Sequence, residues 1–183
     1  MEQIIKEQMR RQINESVWSF KLPRYHEIPN VGLYLEQTTK YISDCLAPLS
    51  SSVSITGSMI SNYVKRGLIV NPIKKQYSRD QIAYLIFIAV VKSILSMDDI
   101  KLLIMVQKRN YEPQRAYDYF CSEFENILEY IFGKKEAIDT VGVDHSDTKE
   151  MLRNTIITVS HKIYLDKLFA VLHMLDETGA KAE

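Results

Sequence analysis

The run Ile82 to Val91, Ile-Ala-Tyr-Leu-Ile-Phe-Ile-Ala-Val-Val, carries no charge and leaves almost no polar side to a helix. It falls well short of the roughly 20 residues that span a bilayer. Just ahead of it, Ser78-Arg79-Asp80-Gln81 has the S-x-x-Q form of a capping box, which places a helix start there. The pattern predicts a helix from Arg79 to about Ile94 that is apolar on nearly every side and therefore buried.

The rest of the chain reads as helical around it. Ile4, Ile5, Met9, Ile13 and Val17 recur at helical spacing from Glu2 to Ser19. Pro23 and Pro29 then hold an extended segment. Asn30 is expected to cap a helix running through Leu33, Leu35, Tyr41, Ile42 and Leu46, ending near Pro48. Ser50, Ser51 and Ser52 read as a loop. Ser96-Met97-Asp98-Asp99 starts another helix, with Ser96 as cap. Tyr117, Phe120, Phe124, Ile127 and Ile131 form a 3-4-3-4 seam that Gly133 closes. Gly142 to Ser146 reads as a loop, a last helix runs from Asp147 to about Leu175, and 179–183 as a frayed tail. With 6 Gly and 5 Pro in 183 residues, turns are few and elements long. The expected class is all-α, with segments 1–20, 21–110 and 111–183.

Several chemistries are set aside. The charged N-terminus has no apolar core or cleavage site, so no signal peptide is read there, and a soluble, cytoplasmic protein is expected. Cys45 and Cys121 have no metal spacing and are expected as free thiols. His26, His145, His161 and His173 show no HxxxH or HxxH pairing. No nucleotide-binding or hydrolase motif occurs. No enzyme, cofactor, metal or membrane partner is expected.

The segment Thr56 to Gly67 carries the functional reading. At about 100° per residue, Met59, Ile60, Tyr63 and Val64 fall on one side. Ser58, Ser61, Asn62, Lys65 and Arg66 fall on the other, and Thr56 suits the cap. A helix this short must dock by its apolar side. It then presents hydroxyls, an amide and two cations, groups that pair with base edges and phosphates. Leu68 to Tyr77 follows as a brief hairpin or wing, with Lys74, Lys75 and Arg79 placed to hold phosphates and Tyr77 beside them. Ser54 to Asp80 holds five cations and one anion, whereas Tyr111 to Glu183 holds eight and fourteen. A local basic patch on a neutral chain is compatible with a nucleic-acid site. Tyr77 reads equally well as core packing.

These residues resemble two families. Ile55-Thr56-Gly57-Ser58-Met59-Ile60-Ser61-Asn62-Tyr63, Gly67-Leu68-Ile69, Lys75-Gln76-Tyr77-Ser78 and Ser96-Met97-Asp98-Asp99-Ile100 are similar in order to the MerR superfamily. Leu22-Pro23-Arg24, Leu33-Tyr34, Gln37, Asn62-Tyr63-Val64-Lys65 and Lys74-Lys75-Gln76-Tyr77-Ser78-Arg79 resemble an uncharacterised bacterial domain-of-unknown-function family more closely. The resemblance covers roughly Trp18 to Lys108. It implies a MerR-like winged helix-turn-helix that binds double-stranded DNA, with the 111–183 region as a helical extension. It also implies a homodimer, with the Tyr117 to Ile131 seam as the candidate surface. The chain departs from the MerR pattern in carrying Ser61 and Asn62 where an Arg and an aromatic are usual. A helical protein-interaction module on the same fold is the rival reading, and a small-molecule effector stays open.

Overall fold

The computed structural model describes residues 2–49, 51–142 and 146–179. Among them are seven helices and one two-stranded ladder, in the order α1 (Glu2–Glu15), β1 (Leu33–Tyr34), α2 (Leu35–Leu46), α3 (Gly57–Lys65), β2 (Gln76–Tyr77), α4 (Arg79–Val91), α5 (Met97–Asn110), α6 (Pro113–Ile131) and α7 (Asp147–Gly179). The expectations on Ser50, on His145 and on the tail beyond Gly179 lie outside the described residues, as does part of the 142–146 loop.

The apolar helix α4 sits in the centre. Ile82, Leu85, Ile86, Ile88, Ala89, Val90 and Val91 are sealed from solvent. Its start is the capping box the sequence predicts: Ser78 Oγ accepts from Gln81 N, and Gln81 Oε1 accepts from Ser78 N. The Ser96 cap is also present, accepting from Asp99 N at 3.1 Å.

One apolar cluster runs from Ile13 through α4 to Ile163, so segments 1–20, 21–110 and 111–183 share a core. Aromatic rings knit it together. Phe120 meets Phe87 edge to face at 5.2 Å and stacks on Phe124 at 5.6 Å, and Phe124 meets Phe20 edge to face at 5.9 Å. The Tyr117 to Ile131 seam therefore faces inward: Tyr117, Phe120, Phe124 and Ile127 are buried, and α6 packs along α7 more extensively than any other pair of elements. This corrects the expectation that the seam is a dimer surface. A 3-4 repeat specifies a packed partner but not whether that partner is the same chain.

Two further boundaries differ from expectation. Asn30 caps nothing. Leu33 and Tyr34 instead pair antiparallel with Tyr77 and Gln76, and α2 begins at Leu35 with Gln37 Oε1 accepting from Tyr34 N at 2.9 Å. Gly32 allows that approach, since a Cβ there would lie 2.7 Å from Gln76 Cβ. The first helix ends at Glu15 rather than Ser19. There Ser16 Oγ donates to Ile13 O at 2.6 Å, and Val17 and Phe20 then turn into the core.

The buried Glu125 carboxylate is fully partnered. Arg24 clamps the buried Glu125 through two hydrogen bonds of 2.8 Å, and Leu22 N and Lys21 Nζ donate to the same carboxylate. This knot ties the Leu22–Pro29 segment to α6; contrary to expectation, the segment is not extended throughout but makes a 3-10 turn at Tyr25–Glu27. Cys45 and Cys121 are free thiols. Among the described residues, no helix is long and apolar enough to cross a membrane, and no cluster of possible metal ligands occurs.

Candidate nucleic-acid interface

The helix α3 is held at both ends by local chemistry. Thr56 Oγ1 accepts from Met59 N at 3.2 Å at the start. At the end, Gly67 takes φ +71°, Leu68 N donates to Tyr63 O at 2.9 Å, and Gly67 N donates to Val64 O at 3.0 Å. That pair of bonds is a Schellman motif, and the buried Tyr63 and Leu68 supply its apolar contact. Ile60 and Tyr63 anchor the inner face, with Met59 and Val64 half-buried beside them. Burial pushes the Tyr63 phenol pKa up.

The outer face is as expected. Thr56, Ser58, Ser61, Asn62, Lys65 and Arg66 are all exposed. Ser58 Oγ lies 2.9 Å from Thr56 Oγ1, and Ser61 Oγ donates to Gly57 O, so both hydroxyls keep some capacity for another partner. The amide of Asn62 and the charges of Lys65 and Arg66 have no side-chain partner among the described residues.

The 70–77 segment folds back as a tight hairpin. Gln76 N donates to Ile73 O at 2.9 Å, the two residues bridge, and Lys74 and Lys75 occupy the corners at φ +50° and +64°. Two successive left-handed residues make a type I′ turn, the form that favours Asn-Gly. A pair of lysines there is strained, at roughly 1 kcal/mol or more each. Both project into solvent with no ion-pair partner among the described residues. Gln81 Nε2 anchors the base of the hairpin on Val70 O at 2.8 Å.

Two expected contact residues are placed elsewhere. Tyr77 is 4% exposed and belongs to the core, its pKa raised by burial. Arg79 Nε donates to Ile28 O at 2.8 Å, Nη2 reaches His26 O at 3.4 Å, and the guanidinium lies over the Tyr25 ring. Its side chain serves the fold, so neither residue stays in the interface set. One cation was missed. Lys101, exposed on α5, brings Nζ to 3.7 Å from the point a Gly67 Cβ would occupy, beside the end of α3. It lies 34 positions beyond Gly67, so no local spacing in the sequence reports it.

The ten residues Ala47 to Thr56 between α2 and α3 exceed the 3–4-residue turn of a simple helix-turn-helix. Within this connection Leu49, Val53 and Ile55 enter the core. The molecule is thus a mostly helical protein with a two-stranded ladder beside a short amphipathic helix. Residues 23–120 match the family described as a domain of unknown function, DUF1836, and the chain belongs to that family. No curated protein and no solved structure matches the chain.

Proposed function

We propose that this protein is a DNA-binding transcriptional regulator that lays α3 in the major groove of duplex DNA and sets the 70–75 hairpin on flanking phosphates. One observation carries the reading: Asn62, Lys65, Arg66, Lys74 and Lys75 stand exposed on two consecutive elements, with no side-chain partner among the described residues. The strained lysine corner adds to it, since strain of this kind is found where function requires a side chain in that place. The resemblance to the MerR superfamily points the same way.

In this reading Asn62 and Lys65 approach bases, with Ser58 and Ser61 as lesser contacts. Arg66, Lys74, Lys75 and Lys101 neutralise phosphates. A single α3 offers few base contacts, so a homodimer reading two half-sites is part of the proposal, through a surface other than the inward seam. Its setting is cytoplasmic. No catalytic step is assigned.

Sheared genomic duplex, mixed with the full chain and recovered with it, tests the reading. Enrichment of a shared sequence that disappears in Asn62→Ala is the expected result. Equal recovery of all fragments by both proteins would contradict base reading by α3.

A rival reading, a protein-interaction module, is favoured by a specific feature. Val31, Tyr34, Val70 and Ile73 expose large apolar side chains around the ladder and hairpin. If that surface docks a protein, Ile73→Asp removes the partner while Asn62→Ala does not.

A further inference from the structure

A cleft lies between α6 and α7, away from α3 and the 70–77 hairpin. Tyr119, Glu123, Ser146, Lys149, Arg153 and Asn154 help line this cleft of about 300 Å³. A neighbouring space of about 200 Å³ shares Tyr119 and Lys149 and continues between Ala116 and Leu152. Both volumes lie at or near the size range of small-molecule sites.

Glu123 is the unusual group. Its side chain is 1% exposed, yet neither carboxylate oxygen receives a hydrogen bond. Arg153 Nε stands 2.7 Å from Oε1 but out of line for donation, and Nε itself has no acceptor. The buried Glu125, two residues further along α6, shows the contrast: it accepts from Arg24, Leu22 and Lys21. A buried carboxylate short of donors is costly, and native proteins rarely leave one so. Burial pushes the Glu123 carboxyl pKa up, opposed by Arg153 and Lys149.

The cations beside it are only partly used. Arg153 is 42% exposed and, beyond its ion pair with Glu123 at 2.7 Å, has no other partner among the described residues. Lys149 Nζ donates to Gly142 O at 3.1 Å and lies over the Tyr119 ring. The cleft therefore offers the buried Glu123 carboxylate, the Glu150 carboxylate, two cations and an apolar compartment alongside.

We propose that this cleft binds an α-amino acid with an apolar side chain. The ammonium donates to Glu123, the carboxylate meets Arg153 and Lys149, and the side chain enters the space beside Ala116 and Leu152. A charge-assisted bond at each end is what separates this ligand from a simple amine or acid. The site does not depend on DNA binding.

Calorimetric titration of the full chain with leucine and phenylalanine tests it, against glutamate and against the amine and carboxylic acid that lack one charged group. Leucine or phenylalanine should bind, with glutamate and each single-group analogue weaker by about ten-fold or more. Glu123→Gln should lose the same factor. Ala116→Phe, which fills the apolar compartment and leaves the charges in place, should abolish binding should Glu123→Gln fail to fold, as judged by circular dichroism. No binding by either amino acid at millimolar concentration would overturn the proposal, as would an amine that binds equally well or an unchanged affinity in a folded Glu123→Gln.

Discussion

The helices α3 and α6 treat charge in opposite ways. On α3 and the adjoining hairpin, Lys65, Arg66, Lys74 and Lys75 stand in solvent without partners among the described residues, and Ile60 and Tyr63 point inward. On α6, Glu125 and Glu129 are wrapped in cations drawn from distant parts of the chain: Arg24 and Lys21 from before α2, Lys134 and Lys135 from beyond the helix end. The charge of Glu125 and Glu129 is therefore committed to stability. Charge on α3 contributes little to it and is available for something outside the protein. Buried pairs are costly to break because the remaining partner is stranded, whereas exposed single charges are nearly neutral to remove.

The sharpest way to break this contrast is to cut one charge from each region. Arg24→Ala leaves Glu125 buried without its bidentate partner and should cost about 3 kcal/mol in urea unfolding. Lys65→Ala should stay within about 0.5 kcal/mol. Equal losses in the two variants would remove the distinction.

Acid offers a second probe. Burial alone would raise the Glu129 carboxyl, but hydrogen bonds from Lys134, Lys135 and Lys21 outweigh it and hold the pKa down at about 2. A depressed carboxyl stabilises the folded state fully above its unfolded pKa of about 4.3, and that stability is lost as pH falls toward 2. The contribution should be on the order of 2 kcal/mol, allowing for partial exposure. Thermal melts of Glu129→Gln should be less sensitive to pH between about 5 and 2 than those of the parent chain. Identical pH profiles would show that the cation cage does not act as described.

On the α3 side, Asn62→Ala and Lys65→Ala should each weaken binding to a selected duplex by about 1–3 kcal/mol with little change in melting temperature. Asn62→Ala should also relax sequence preference. The smallest effect sharpens the comparison within one residue. Lys75→Gly relieves the left-handed strain and should stabilise the fold by about 1 kcal/mol while weakening DNA binding. A variant that gains stability without losing affinity would mean that the lysine has no role at the interface.

Local chemistry made much of this fold legible. The Ser78 and Ser96 caps, the Gly67 and Gly133 stops and the bounds of α3 depend on residues within a few positions of one another, and the structure contains them all. What the sequence hid was tertiary. The β1 strand is two residues long, too short for any alternation to announce, and exists because Tyr77 and Gln76 return from 44 and 42 positions later to pair with Leu33 and Tyr34. Arg79 looks like a free cation in a basic run, and only the fold brings the Ile28 carbonyl to it. The polar face of α3 could be read because helical periodicity alone separates it from Ile60 and Tyr63. The buried, underbonded state of Glu123 could not, because nothing nearby in sequence distinguishes it from Glu125.

Phosphate neutralisation by exposed lysines releases counterions in proportion to the contacts made, so DNA binding should weaken as salt rises. Anisotropy of a labelled duplex, titrated with the full chain across a salt series, should give log Kd linear in log salt. The Lys74→Ala/Lys75→Ala double variant should lower that slope by about 1.8, at roughly 0.9 for each phosphate contact. A slope of zero for the parent chain, or one that the double variant leaves unchanged, would contradict the DNA-binding account.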